Sequence, residues 1–186
     1  ISWRRPNRYN DEYEKDYTKY LHVCGKSKHK QTQLLINTWT SDMPHLTVLY
    51  SPKDVSLIHN NIDNITYITE RMSDKDLVEL MNTCGVHVCC SETEGFGHYI
   101  HEAKSCGAVV ITTGGQPMCS YFRDEENGFL ISYKKKRKMK LHLGSRYIFS
   151  GPSLVEVVNK IQKIYIENPN ELTEIGNRAR NSFSAN

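Results

Sequence analysis

Three short segments carry residues able to do chemistry. The first is Cys24-Gly-Lys-Ser-Lys-His-Lys30, in which Gly25 is followed by cations at Lys26, Lys28 and Lys30. Lysines and free backbone N–H groups ahead of a helix make an anion site, and a solvated lysine-rich turn is the competing reading. The tripeptide Gly25-Lys26-Ser27 does not extend to a P-loop, because Tyr20 and Leu21 occupy the stretch where that loop needs a further glycine. The second is Ser91-Glu-Thr-Glu-Gly-Phe-Gly97 and the helix it opens. Gly95 and Gly97 permit close backbone approach, and Glu94 and Glu102 are carboxylates with seven residues between them. Their plainer roles are a favourable charge at a helix start and a solvated helix residue. The third is Thr112-Thr-Gly-Gly-Gln-Pro-Met118, where Gly114 and Gly115 offer backbone N–H groups to a ligand or simply turn the chain. His98, His101 and Glu102 match neither zincin order, and no metal site is expected.

These loops need strands to hold them. Apolar, β-rich runs appear at Tyr20–Cys24, Leu46–Tyr50, Ile65–Ile68, Val86–Cys90, Ala108–Thr112 and Phe129–Tyr133. Helical periodicity lies between them, with Leu34, Leu35, Thr38 and Trp39 on one face, and Leu77, Leu80, Met81 and Cys84 on another. Ser73 followed by Asp76 predicts a helix start, and Leu154 through Tyr165 predicts a longer helix that stops near Pro169. The alternation predicts an α/β domain: a doubly wound, Rossmann-like parallel sheet of about six strands with helices on both faces. In such sheets ligands bind beyond the carboxyl ends of the strands, where the three segments stand. Residues 1–19 read as a linker or lead-in, and 20–186 as the domain. Tyr9, Tyr13 and Tyr17, four apart, would also suit one face of a short helix.

Composition bounds the rest. The chain has 186 residues and a net charge of +3. The run Lys134-Lys-Lys-Arg-Lys-Met-Lys140 alone carries six positive charges. One short basic run without interleaved aromatics argues against a nucleic-acid binder. It reads as a solvated loop in preference to a contact for an acidic partner. No run reaches the roughly 18 apolar residues of a membrane helix. Six scattered cysteines without a Cys-x-x-Cys suit free thiols in a reducing, cytoplasmic setting. A first residue Ile1 in place of Met suggests a processed product or part of a longer chain.

Taken together, Ser91-Glu-Thr-Glu-Gly-Phe-Gly97 and Glu102-Ala-Lys-Ser-Cys-Gly-Ala-Val-Val-Ile111 resemble the donor-site motif of the large retaining glycosyltransferase family with the GT-B fold. Leu21 to Lys30 resembles that family's phosphate-binding strand and turn, Asn64 to Leu77 its nucleobase-binding strand and helix, and Glu126 to Leu130 with Gly176 to Phe183 its closing elements. The resemblance implies one half of a GT-B enzyme, the half that binds a nucleoside-diphosphate sugar, UDP- or GDP-linked, with no other cofactor. It implies Lys26 and Lys30 on the diphosphate, Glu102 on the ribose hydroxyls, and Glu94 with the amides of Gly95, Phe96 and Gly97 on the sugar and phosphate. Gly25 belongs to the phosphate turn, Met72 borders the base, and Gly114 and Gly115 stand near the donor. It implies sugar transfer with retention and without a divalent metal, and a separate N-terminal domain for the acceptor. His98-Tyr99 replaces the family's usual Leu-Pro, Lys26 replaces its arginine, and the segment from Lys134 to Gly151 exceeds its usual connection. Two alternatives stay open: a nucleotide-sugar-binding module without catalysis, and a sugar-nucleotide epimerase-like enzyme, against which no further acid–base cluster is seen.

Overall fold

A computed structural model describes residues 7–138 and 144–184. Six strands form one parallel sheet: β1 (Asp16–Gly25), β2 (His45–Tyr50), β3 (Ile65–Ile68), β4 (Cys84–Cys89), β5 (Val109–Thr113) and β6 (Phe129–Ile131). The helices are α1 (Thr32–Thr38), α2 (Asp74–Thr83), α3 (His98–Ser105), α4 (Gly151–Glu167) and α5 (Pro169–Ser184). The expected Rossmann-like α/β architecture is present.

Alternation along each strand distributes the two faces. Tyr20, Val86, Val88, Val109 and Ile111 pack with Leu35, Trp39, Leu154, Val158, Ile161, Leu172 and Ile175 under α1, α4 and α5. On the opposite face Leu21, Met81, Cys84 and Cys106 meet Leu77 and Leu80 of α2. Val110, Ile100, Ala103, Met118 and Phe122 close the sheet under α3. Burying a side chain of this size contributes roughly 1.5–3 kcal/mol, so the apolar period is what holds each helix down. Ser73 caps α2 as expected, its hydroxyl accepting from the Asp76 N–H at 3.1 Å. Asn168 ends α4, and Pro169 opens α5.

The strand order is β3-β2-β1-β4-β5-β6. The chain winds outward through β1, β2 and β3, then returns to the far side of β1. The order therefore reverses between β1 and β4, and the crevice beyond their carboxyl ends is the switch point of the sheet.

Three expectations are corrected. β1 begins at Asp16, inside the segment read as a lead-in, because Asp16 pairs with Cys84 and Tyr17 is buried. Tyr17 therefore shares no helix face with Tyr9 and Tyr13, and residues 7–15 contain no helix. The run expected to be one strand, Phe129–Tyr133, divides: β6 stops at Ile131, and Tyr133 opens β7. The basic run is not a loop: Tyr133–Lys138 (β7) pairs antiparallel with Ser145–Phe149 (β8) in a separate hairpin. All six β7 residues are exposed; Met139 and Lys140 lie outside the described residues. No helix among the described residues is long and apolar enough to cross a membrane.

Candidate functional site

Gly25 closes β1 in a left-handed conformation, φ 58°, with open space where a Cβ would be. A short 3-10 turn over Lys28–Lys30 follows, and the side chain of Ser27 caps it by accepting from the His29 N–H at 3.3 Å. Across the switch point, the segment after β4 lies against this turn: the Glu92 N–H donates to the His29 carbonyl at 2.9 Å. The Gln31 amide donates to the carbonyls of Cys90 and Tyr147, at 2.8 and 3.0 Å. Two of the three segments singled out by sequence are thus bonded into one wall.

Lys30 stands at the centre of that wall. Its ammonium donates to the Val23 carbonyl at 2.8 Å and lies 3.8 Å from the centre of the Tyr99 ring. Burial holds its pKa below that of an ordinary lysine, opposed by Cys89 and by the Glu94 and Glu102 carboxylates. A cation kept dry by an aromatic face attracts an anion more strongly than a solvated one. The Tyr99 hydroxyl lies 2.5 Å from Ser91 Oγ, and the same Ser91 hydroxyl donates to Glu94 at 2.6 Å. Ser91 is fully buried, so Glu94 is tethered from inside the protein. Gly97 starts α3 at φ 73°, where a side chain would be strained, and Gly95 is exposed with nothing within 4 Å of its Cβ position. Phe96, 36% exposed, leans on His98 and His101 with ring centres 4.8 and 5.0 Å away.

The remaining candidates are placed less uniformly. Lys26 is exposed beside Gly25. Glu102, in the middle of α3, accepts from Arg8 Nε at 3.3 Å. Met72 stands in the loop after β3, with β2 between that strand and β1. The paired glycines are engaged within the fold. The Gly114 N–H donates to the Ile131 carbonyl at 2.8 Å, holding β6, and the Tyr147 ring fills the space where a Gly115 Cβ would stand. The Gly114 N–H is therefore taken, and the Cβ face of Gly115 is closed. A concavity of about 660 Å³, lined by Lys104, Tyr121, Arg123 and Arg178 among others, includes none of Lys30, Ser91, Glu94 or Glu102.

Four contributors escaped sequence reasoning: Tyr99, Ser91, and the pair Glu92 and Arg146. The Glu92 carboxylate, almost buried, accepts from Arg146 of β8 and from His29 Nδ1 at 2.7 Å. The Tyr147 N–H also donates to the Glu92 carbonyl at 2.7 Å. These bonds fasten the hairpin to the phosphate-turn candidate. Among the described residues no three His, Cys, Asp or Glu side chains converge as metal ligands. All six cysteines are free thiols, five of them buried.

The arrangement sets the Lys30 ammonium, the start of α3 and the tethered Glu94 carboxylate beside the switch point: a diphosphate and a polyhydroxyl group would both find partners there.

Residues 11–163 match the family model described as glycosyl transferases group 1. No curated protein sequence matches the chain. Among solved structures, Anabaena Alr3699/HepE in complex with UDP superposes with a TM-score of 0.68 at 19% identity, over 90% of this chain and 44% of that one. The sucrose-phosphate synthase tll1590 from Thermosynechococcus elongatus gives 0.68 at 20% identity, over 91% and 41%. The C-terminal domain of the group 1 glycosyl transferase LpcC from Francisella tularensis gives 0.61 at 18% identity, over 99% and 93%. The chain therefore spans less than half of the first two proteins and nearly all of the isolated domain.

Proposed function

The chain belongs to the glycosyl transferases group 1 family, and from that premise we propose that it is the donor-binding half of an enzyme moving a sugar from a nucleoside-diphosphate sugar to an acceptor, with retention. The observation that carries this reading is the Lys30 ammonium, seated on Tyr99 at the switch point with Glu94 tethered beside it. As the glycosidic bond breaks, negative charge grows on the departing nucleoside diphosphate. Lys30 and Lys26, with the N-terminus of α3, oppose that growing charge and so favour the transition state over the ground state. Glu94 accepts hydrogen bonds from the sugar hydroxyls, and its tether to Ser91 keeps the carboxylate from swinging out to solvent. Glu102 accepts from the ribose hydroxyls. Met72 borders the base, Gly25 lets the diphosphate approach the turn, and the amides of Gly95, Phe96 and Gly97 grip the phosphate.

The UDP bound by the Anabaena neighbour makes UDP the first nucleotide to test. A second Rossmann-like domain would face this wall and supply the acceptor site. Transfer proceeds without a divalent cation, the lysines taking its electrostatic role. The buried thiols suit a reducing, cytoplasmic compartment.

Calorimetric titration of the chain with UDP, GDP and ADP, with and without EDTA, tests the reading. The expected result is binding of one diphosphate that survives EDTA and weakens in Lys30→Ala and Glu102→Ala. Binding that requires a metal, or none by a chain shown to be folded, would overturn it.

A further inference from the structure

We propose that Arg8, ahead of the first strand, is a positioning residue that sets the carboxylate of Glu102 for recognition of the donor ribose; this rests on the donor-site reading above. An isolated exposed ion pair would not support such a role, since most are worth little. This one is held from several sides.

Arg8 is fastened through its backbone in both directions. Its N–H donates to Ser105 Oγ at 2.9 Å, and that hydroxyl donates to the Glu102 carbonyl at 2.7 Å. Its carbonyl accepts from Asn82 Nδ2 at 2.7 Å. Asn82 is fully buried at the end of α2, where its amide also donates to the Val78 carbonyl at 2.8 Å and its oxygen accepts from the Asn10 N–H at 3.1 Å. One buried amide thus fixes the chain on both sides of residue 9. The Arg8 side chain starts from this anchored backbone and meets Glu102 Oε1 through Nε at 3.3 Å.

The consequence is geometric. A glutamate on a helix face has several rotamers to lose before it can grip a ligand. The side chains of Arg8 and Glu102 are only 28% and 19% exposed, so the pair is partly shielded from water. With Oε1 engaged by the guanidinium, Oε2 is left as the acceptor for hydroxyl groups, and the Lys30 ammonium is near enough to feel the Glu102 charge. Arg8 then acts before the ligand arrives, by reducing the ordering that binding would otherwise require. It touches the carboxylate and not the nucleotide.

The role separates ribose recognition from diphosphate recognition, and the experiment uses that separation. Wild type, Arg8→Ala, Arg8→Lys and Glu102→Gln are titrated by calorimetry with the nucleoside diphosphate the wild type binds, with its 2′,3′-dideoxy form, and with inorganic pyrophosphate. Hydrogen bonds to a charged acceptor should give wild type a preference for ribose over dideoxyribose of about tenfold or more. Glu102→Gln should lose most of that preference. Arg8→Ala should cut it to about threefold or less, with pyrophosphate affinity unchanged, and Arg8→Lys should restore part of it. A ribose preference unaltered in Arg8→Ala would overturn the proposal while leaving the donor site standing. Equal weakening toward pyrophosphate would overturn it too, by showing a general structural role. Tighter nucleotide binding in Arg8→Ala would make Arg8 a competitor of the ribose instead. Failure of the wild type to bind any of the diphosphates, pyrophosphate included, would overturn the donor-site reading and this inference together.

Discussion

The Lys30 ammonium lies 3.8 Å from the centre of the Tyr99 ring, although one residue belongs to the turn after β1 and the other to the first turn of α3. The contact joins the two sides of the switch point and places a cation where an anionic leaving group would rest. Replacing Lys30 by Met keeps an unbranched apolar stem over the ring and removes only the charge. We expect nucleoside-diphosphate affinity to fall by about 10- to 100-fold, in line with hydrogen bonds to charged groups, with little change in thermal midpoint. Because burial lowers the pKa of Lys30, affinity in the wild type should decline as pH rises, beginning earlier than an ordinary lysine would allow. Titration between pH 7 and about 10 reads this directly.

Tyr99→Phe keeps the ring under Lys30 and deletes the hydroxyl that meets Ser91. Ser91 is buried and also holds Glu94, so the variant loosens the carboxylate without touching the cation. Destabilisation of about 1–2 kcal/mol in urea unfolding is expected. Diphosphate affinity should stay close to wild type, while the gain in affinity from an attached sugar shrinks. An equal loss for UDP and a UDP-sugar would contradict the role given to Glu94.

The Glu92 carboxylate, which receives Arg146 and His29, and the fit of Tyr147 against Gly115 help fasten the hairpin, beside the Gln31 amide on Tyr147 and Phe149. Glu92→Ala leaves the Arg146 guanidinium without its carboxylate, and Gly115→Val drives a side chain into the Tyr147 ring. Both should loosen β7 and β8 against the domain. Limited trypsin digestion would then cut within the lysine-rich strand several times faster than in wild type, while far-ultraviolet circular dichroism stays unchanged. Equal digestion rates would show that other contacts hold the hairpin.

His22 and His87 are both buried within the sheet, and burial lowers the pKa of each from 6.5 to about 4. His22 sits between the Val88 carbonyl and the Thr32 hydroxyl, at 2.7 and 2.9 Å, and His87 reaches the Met81 carbonyl at 3.0 Å. The folded state keeps both rings neutral where the unfolded chain would already bind protons. Stability therefore falls as pH drops from about 6.5 to about 4, by about 1.4 kcal/mol per unit for each ring. Denaturant midpoints at pH 7, 5.5 and 4.5 should show this slope, and His87→Gln should lower it by half. A flat profile would mean that water reaches these rings.

Much of the scaffold can be read along the chain because its signals are local. Runs such as Ile65–Ile68 and Val86–Cys90 show their strand character by β-branched content, and Ser73 and Pro169 bound their helices by hydrogen bonding and by a missing N–H. The start of β1 was hidden for the same reason. Asp16, Thr18 and Lys19 look like linker residues, and only pairing with β4 makes that stretch a strand. The lysines of β7 likewise show no apolar alternation, since both faces of that strand are exposed.

The sequence alone determined the residue types of the candidate site, the α/β alternation and the motif around Glu94 and Glu102. The tertiary structure decided which of those residues meet. Strand order put the turn after β1 beside the loop after β4, and so brought Lys30 to Tyr99 and Glu92 to His29. It also bonded Gly114 to β6, set Gly115 against Tyr147 and delivered Arg8 to Glu102 across 94 positions of chain. The division has a physical cause. Propensity, capping and hydrophobic period are set by neighbours within a turn or a pleat, whereas the partner of a charged side chain is set by burial and by which strand ends adjoin, and no local pattern encodes that.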